Sequence, residues 1–320
     1  MANDHQKRYN QVLTSTLDEG MYNMCQYQGF WFRPLVLDRI LSLQANFNPK
    51  ELGLDVLICS APKTGFTWLK SLCFAISTRN NFDEFTSPLH NYLPHDIIPC
   101  LELDFDQDNN QQIYYPLLST HLPYISLPET IKLSTNCKIV YICRDPKDTF
   151  ASLWHFMNKI GINQPTDICF QRFCDGKTGW GPYWDHVLGY WEASIEMPEK
   201  ILFLKYEDLK NDTMFHVRKI AEFIGKPFAI EEETEGLVEK ITKFCSFENM
   251  SNLEVNKSNE QRRIGPYEIN NSAFFRNGNV GDWKNLLTVE MIEKIDEITG
   301  KKMTASGLEG ALMRIKCKLN

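Results

Sequence analysis

The sequence predicts an α/β fold, a single domain with a mainly parallel central sheet flanked by helices. Three observations carry that expectation. Short apolar runs rich in β-branched residues at 56–59, 138–143 and 201–205 read as buried strands. Each is followed by a polar turn and a helical stretch, and such alternation favours parallel βαβ units. The chain has 320 residues, 43% hydrophobic and 23% charged, the balance of a globular domain large enough to bury a substantial core.

Taken in order, residues 1–50 read as a helical lead-in. An aromatic cluster, Tyr22, Tyr27, Phe30, Trp31 and Phe32, precedes Pro34, and helical spacing follows over 35–47. After strand 56–59, Ser60, Ala61 and Pro62 break the run, and Lys63-Thr-Gly65 leads into an apolar stretch over 66–76. That stretch lacks alternation and is too long for a strand, so it reads as a buried helix. A strand, a tight turn and a helix make an anion site, because the free N–H groups and the dipole of the first helical turn face it. Lys63 adds a charge, and Thr64 and Thr67 add hydroxyl donors. The design is P-loop-like but not the nucleotide triphosphatase motif, in which Gly and four residues precede Gly-Lys.

Residues 77–116 are polar and interrupted by Pro, with acidic Glu102, Asp104, Asp106 and Asp108, and read as a long surface excursion. A strand ends near Thr120, with His121 at its tip. Strand 138–143 runs into Arg144, then Asp145 as N-cap, Pro146 at the first helical position and Asp148 in the first turn; this helix carries Ser152. Residues 160–185 read as irregular and 186–195 as helical. Tyr206 follows strand 201–205, and helices are expected over 214–224, 231–250 and 289–298. Between them, 251–282 reads as a polar, ligand-covering loop with Arg262, Arg263, Gly265, Pro266, Arg276, Gly278 and Gly281. Sheets of this kind bind ligands at the carboxyl ends of their strands, where the turn 60–65, His121, Arg144 and Tyr206 all fall.

The formal net charge of −7 argues against general nucleic-acid or anionic-membrane binding, so a polyanionic ligand requires a local cluster of cations. Ten Cys residues, from Cys25 to Cys317, form no Cys-x-x-Cys pair and sit largely in apolar runs. That usage suggests no zinc site and a reducing, cytoplasmic setting. The N-terminal residues contain no apolar core of the signal-peptide kind, and no run of about twenty apolar residues occurs.

These residues resemble the cytosolic sulfotransferases, most closely the plant soluble kind. The resemblance spans 27–315 and rests on Pro62-Lys-Thr-Gly-Phe-Thr-Trp68, Thr120-His-Leu-Pro-Tyr124, Tyr141-Ile-Cys-Arg-Asp-Pro-Lys-Asp148, Leu204-Lys-Tyr-Glu207 and Arg276-Asn-Gly-Asn-Val-Gly-Asp-Trp-Lys284. It implies transfer of a sulfuryl group from 3′-phosphoadenosine 5′-phosphosulfate (PAPS) to a hydroxyl of a small organic acceptor. Lys63, Thr64, Gly65, Phe66, Thr67 and Trp68 would cradle the phosphosulfate. Arg144 and Ser152 would hold the 3′-phosphate, Tyr206 would line the adenine side, and Arg276, Asn277 and Gly278 would close over the nucleotide. His121 would be the catalytic base and Lys63 would stabilise the bridging oxygen, with no metal. Trp31 and Phe156 are candidates for the acceptor pocket, and 284–293 matches a homodimer motif. Three positions depart from the family pattern: Phe66 and Cys245 stand where Thr is usual, and Asn277 where Lys is frequent. Two alternatives stay open on the residues alone, a nucleotide kinase-like phosphotransferase and a non-catalytic binder of the same nucleotide.

Overall fold

The computed structural model describes residues 15–17, 23–104, 113, 115–258, 260–264 and 267–308. Tyr22, Asp106, Asp108, Gly265, Pro266 and Cys317 lie outside them. The strands are β1 Ser15–Leu17, β2 Met24–Tyr27, β3 Phe30–Phe32, β4 Val56–Ser60, β5 Leu117–Thr120, β6 Lys138–Cys143, β7 Ile201–Lys205, β8 Gln261–Ile264 and β9 Tyr267–Asn270. The helices used below are α1 Pro34–Asn46, α2 Phe66–Thr78, α3 Pro94–Ile97, α4 Pro146–Lys159, α5 Thr166–Cys174, α6 Tyr183–Glu196, α7 Tyr206–Asn211 and α8 Val289–Met303.

The central sheet runs β5-β4-β6-β7 and is parallel throughout. Alternate side chains of β4 feed two cores, as the twofold period of a strand requires. Leu57 and Cys59 pack with Leu118, Tyr141 and Tyr190 on one face. Val56 and Ile58 pack with Leu72, Val140 and Ile220 on the other. The register pairs Cys59 with Thr120 and Ser60 with Ile142. The turn after β4, His121 after β5 and Arg144 after β6 therefore emerge side by side at one sheet edge.

Helix α1 bears out the helical spacing over 35–47, but the segment before it differs from its helical expectation. Residues 24–32 form an antiparallel hairpin, turned by Gln28 (φ +52°) and Gly29 (φ +85°). A two-residue left-handed turn suits the twist of paired strands, and a Gln at its first position masks it in the sequence. The stretch 160–185 contains α5, whose Phe170 and Phe173 rings sit 5.3 and 5.6 Å from Phe150 of α4. Its apolar spacing is helical, but the Gly, Pro and Trp residues around it dominate the local composition. In the long loop 251–282, β8 and β9 pair as a ribbon. Tyr206 follows β7 as expected and opens α7, and α6 begins before His186.

Helix α4 starts as its sequence signals dictate, with the Asp145 carboxylate accepting the Lys147 N–H at 2.7 Å. Asp145→Ala should lower the unfolding free energy by about 0.5–2 kcal/mol while Asp145→Asn retains most of the cap; urea titration of the two variants checks this.

Candidate active site

The carboxyl ends of the sheet strands open into a cavity of about 870 Å³, within the size range of cofactor and substrate sites. One wall is the turn between β4 and α2. Lys63 (φ +72°) and Gly65 (φ +109°) both lie in the left-handed region. A Cβ at Gly65 would stand 2.7 Å from Cδ2 of Tyr206. Glycine is thus required both by conformation and by the close approach of that ring. Thr64 is fully buried, and its hydroxyl lies 2.8 Å from the Ala61 carbonyl and 3.0 Å from that of Ile142. It locks the turn to β6, so the expectation of a Thr64 hydroxyl donor in the site is corrected. The Thr67 hydroxyl lines the cavity and pairs with Nε2 of His95 at 3.0 Å. The Trp68 ring meets Tyr206 edge-on at 5.5 Å.

Cations converge on this turn. Lys63 rests its ammonium 3.7 Å from the Phe156 ring centroid. Burial, and then the charges of Arg276, Arg144 and Lys159, push its pKa down to about 7. Arg144 is nearly buried; it donates to the Asn279 carbonyl at 2.6 Å, lies 3.7 Å from Asp148 and stacks 4.5 Å from the Tyr206 ring. Arg276 pairs with Asp282 at 2.6 Å. Among the described residues, the Nε–H groups of Arg144 and Arg276 and the indole N–H of Trp68 are buried without an acceptor. Orphaned donors beside mutually repelling cations fit a ligand carrying several anionic oxygens. Ser152 lines the same wall. Asn277 donates to Asp282 at 2.7 Å and so steadies the partner of Arg276. Gly278 sits against the Phe247 ring, where a Cβ would come within 2.5 Å, and its carbonyl accepts the Tyr206 hydroxyl at 2.7 Å.

His121 stands beside the turn. Its Nδ1–H donates to the Ser60 carbonyl at 2.9 Å, because a carbonyl can only accept. Nε2 therefore keeps its lone pair. Burial, reinforced by Lys70, His186 and Lys63 and opposed by the Ser60 hydrogen bond, lowers the pKa to about 3, so the imidazole is neutral at physiological pH. The His121 backbone N–H donates to one oxygen of Glu102 at 2.8 Å and the Thr120 hydroxyl to the other at 2.6 Å. The His121 carbonyl accepts from Nε2 of His186 at 2.9 Å.

Several placements depart from expectation. Glu102, read as part of a surface acidic run, is fully buried as the clamp of the His121 backbone. Trp31 is buried in β3 and is not on the cavity wall; its backbone pairs with Trp180 and Gly181 at 2.8 and 2.9 Å. Trp180, seated in this way, does line the cavity, 5.5 Å from the His121 ring. Phe156 lines it too, beneath Lys63. The Phe66 side chain points at His121, with ring centroids 4.2 Å apart. Lys70 and His95 escaped sequence reasoning, although a lysine inside the apolar run of α2 is itself a signal, since lysine is almost never fully buried unless paired.

Removing the Glu102 carboxylate leaves two buried donors without an acceptor. Glu102→Ala should therefore destabilise the protein by roughly 1–3 kcal/mol per orphaned donor, read as a lowered urea midpoint.

The sulfotransferase domain family model matches residues 54–307. A flavonol 4′-sulfotransferase of Flaveria chlorifolia is 46% identical over 308 residues, covering 94% of each chain. Cytosolic sulfotransferase 17 of Arabidopsis thaliana is 41% identical, covering 95% of this chain and 90% of that one. Among solved structures, a mouse sulfotransferase complexed with PAP superposes with a TM-score of 0.70 at 26% identity, over 90% of this chain and 97% of that one. Placed on a parallel α/β sheet with a cationic cavity at its carboxyl edge, these likenesses assign the chain to the plant-type cytosolic sulfotransferase family, as an enzyme that transfers a sulfuryl group from PAPS to a hydroxyl acceptor.

Proposed function

We propose that His121 is the general base of this transfer and that Lys63, Arg144 and Arg276 form the donor site. The observation that carries the reading is the convergence of Lys63, Arg144 and Arg276, with orphaned donors on both arginines, on one cavity that also holds a neutral imidazole. The turn 63–68 cradles the phosphosulfate with the free N–H groups of the first turn of α2. Arg144 and Ser152 take the 3′-phosphate, Tyr206 the adenine side, and the segment Arg276, Asn277 and Gly278 closes over it. Asn277 serves through Asp282 and not as a charge. Bound there, the donor supplies an activated sulfuryl group on a phosphate leaving group.

The rest is the work of the chain. Positioning and charge stabilisation dominate a loose, in-line transfer of this type. Nε2 of His121 receives the acceptor proton as the acceptor oxygen bonds to sulfur and the bond from sulfur to the bridging oxygen breaks. Lys63, shifting from the Phe156 face, neutralises charge growing on that oxygen. Aromatic Phe32, Trp154, Trp180 and Phe274 on the cavity wall suit a planar phenolic acceptor, and the flavonol-named relative supports a flavonol-like one. Among the described residues no helix is long and apolar enough to cross a membrane, and relatives carry the cytosolic name, which supports a cytoplasmic location. A homodimer through 284–293 belongs to the same reading, and light scattering at micromolar concentration would show it as twice the 37.2 kDa chain mass.

His121→Ala should lower kcat by about 10²–10⁴-fold while PAP still binds; turnover of a flavonol panel with labelled donor sulfate reads it, and an unchanged rate rejects the base assignment. Binding should also move a proton. Lys63 is half-protonated near pH 7 in the free protein, and anionic oxygens raise its pKa again. PAP binding should therefore take up close to one proton above neutrality, and affinity should fall as pH rises from about 7 towards the ordinary lysine value of about 10.4. Calorimetry at pH 8.5 in buffers of different ionisation enthalpy measures the uptake, which should vanish in Lys63→Met.

A further inference from the structure

We propose that Phe66 is a positioning residue for the base, holding the His121 imidazole so that Nε2 faces the acceptor and keeping water from its flank. The inference rests on the base reading of His121. Phe66 is the first residue of α2, so its backbone belongs to the phosphate turn. Its side chain does not. The buried ring lies 4.2 Å from the His121 ring centroid at an interplanar angle of 41°, and 6.1 Å from His95.

A buried cation supports the ring. Lys70, one turn along α2, is fully buried and stands 4.5 Å from the Phe66 ring centroid. Its other contacts are the Ile98 carbonyl at 2.9 Å and Nδ1 of His95 at 3.2 Å. An ammonium has three donors and no acceptor. With two of them committed, the ring face offers Lys70 an electrostatic partner. Because Nδ1 of His95 accepts from Lys70, its Nε2–H donates to Thr67, leaving the Thr67 hydroxyl hydrogen for the cavity. The Phe66 ring thus braces a single assembly of Lys70, His95, Thr67 and His121.

The charged and titratable groups around the imidazole come from each neighbouring element. Lys63 comes from the turn, Lys70 from α2, His95 from α3, Glu102 from the clamp and His186 from α6. The two lysines oppose protonation of His121, and Glu102 commits both oxygens to Thr120 and the His121 backbone. The Ser60 hydrogen bond pins one nitrogen but leaves the ring free to rock about it. The Phe66 ring closes that freedom from the side.

The test compares Phe66→Thr, Phe66→Leu and Phe66→Tyr with the parent. Histidine-labelled NMR follows the His121 resonance, assigned through His121→Asn. Phe66→Thr and Phe66→Leu should raise the His121 midpoint from about 3 towards the ordinary value near 6.5. They should also lower kcat by about 10- to 100-fold, with an acid limb entering the kcat profile and the donor KM little changed. Phe66→Tyr, which keeps the ring, should restore both. An unmoved His121 midpoint in Phe66→Thr and Phe66→Leu overturns the proposal. So does a loss confined to the donor KM, which would place Phe66 on the phosphate side. The titration is read without turnover, so its failure is distinguishable from failure of the base reading, which a fully active His121→Ala enzyme would reveal.

Discussion

Like charges repel, and the structure is built around holding three of them together. Lys63, Arg144 and Arg276 face one cavity in a chain whose net charge is −7. Carboxylates outside that cavity wall fix the guanidinium groups. Asp148, in the first turn of α4, lies 3.7 Å from Arg144 and also accepts the backbone N–H groups of Gly281 and Trp283 at 2.7 and 3.1 Å. One buried carboxylate thus ties the helix, the arginine and the covering segment together. Asp282 does the same for Arg276 and Asn277. Lys63 rests against the Phe156 ring, and burial together with the neighbouring cations depresses its pKa.

The half of the site around His121 is held by backbone geometry. Parallel pairing of Cys59 with Thr120 places Ser60 and His121 at the same sheet edge. The Ser60 carbonyl can then select the His121 tautomer. Glu102, 19 residues before His121, folds back from the segment leading into β5 and clamps the backbone of the β5 tip. The same edge supplies the turn 60–65 and Arg144, which explains why they share one cavity with His121. The register of the sheet is the link between them, because slipping it by one residue would reverse which side chains face each core.

Much of this was legible in the chain. The runs at 56–59, 138–143 and 201–205 are strands because β-branched, uniformly apolar segments suit a sheet covered on both faces. Helix α4 begins where Asp145 and Pro146 announce it. The Lys/Thr/Gly turn, His121, Arg144 and Arg276 could be named because short motifs carry their own chemistry. The short hairpins and α5 were less legible, since a Gln-Gly turn and a Gly/Pro-rich setting send weak or conflicting local signals.

The sequence by itself determined the fold class, an anion site and the residue types at the strand ends, because these depend on local pattern and spacing, while the donor chemistry was implied by the resemblance to the sulfotransferases. Only the tertiary structure decided which way side chains turned. It sent the Thr64 hydroxyl into the sheet, buried Glu102 beneath His121, moved Trp31 off the cavity wall and laid Phe66 against the imidazole. Those outcomes depend on contacts between residues remote in sequence, such as Glu102 with His121 and Gly65 with Tyr206. No local propensity encodes them, because the partner that satisfies or blocks each side chain exists only once the sheet has closed.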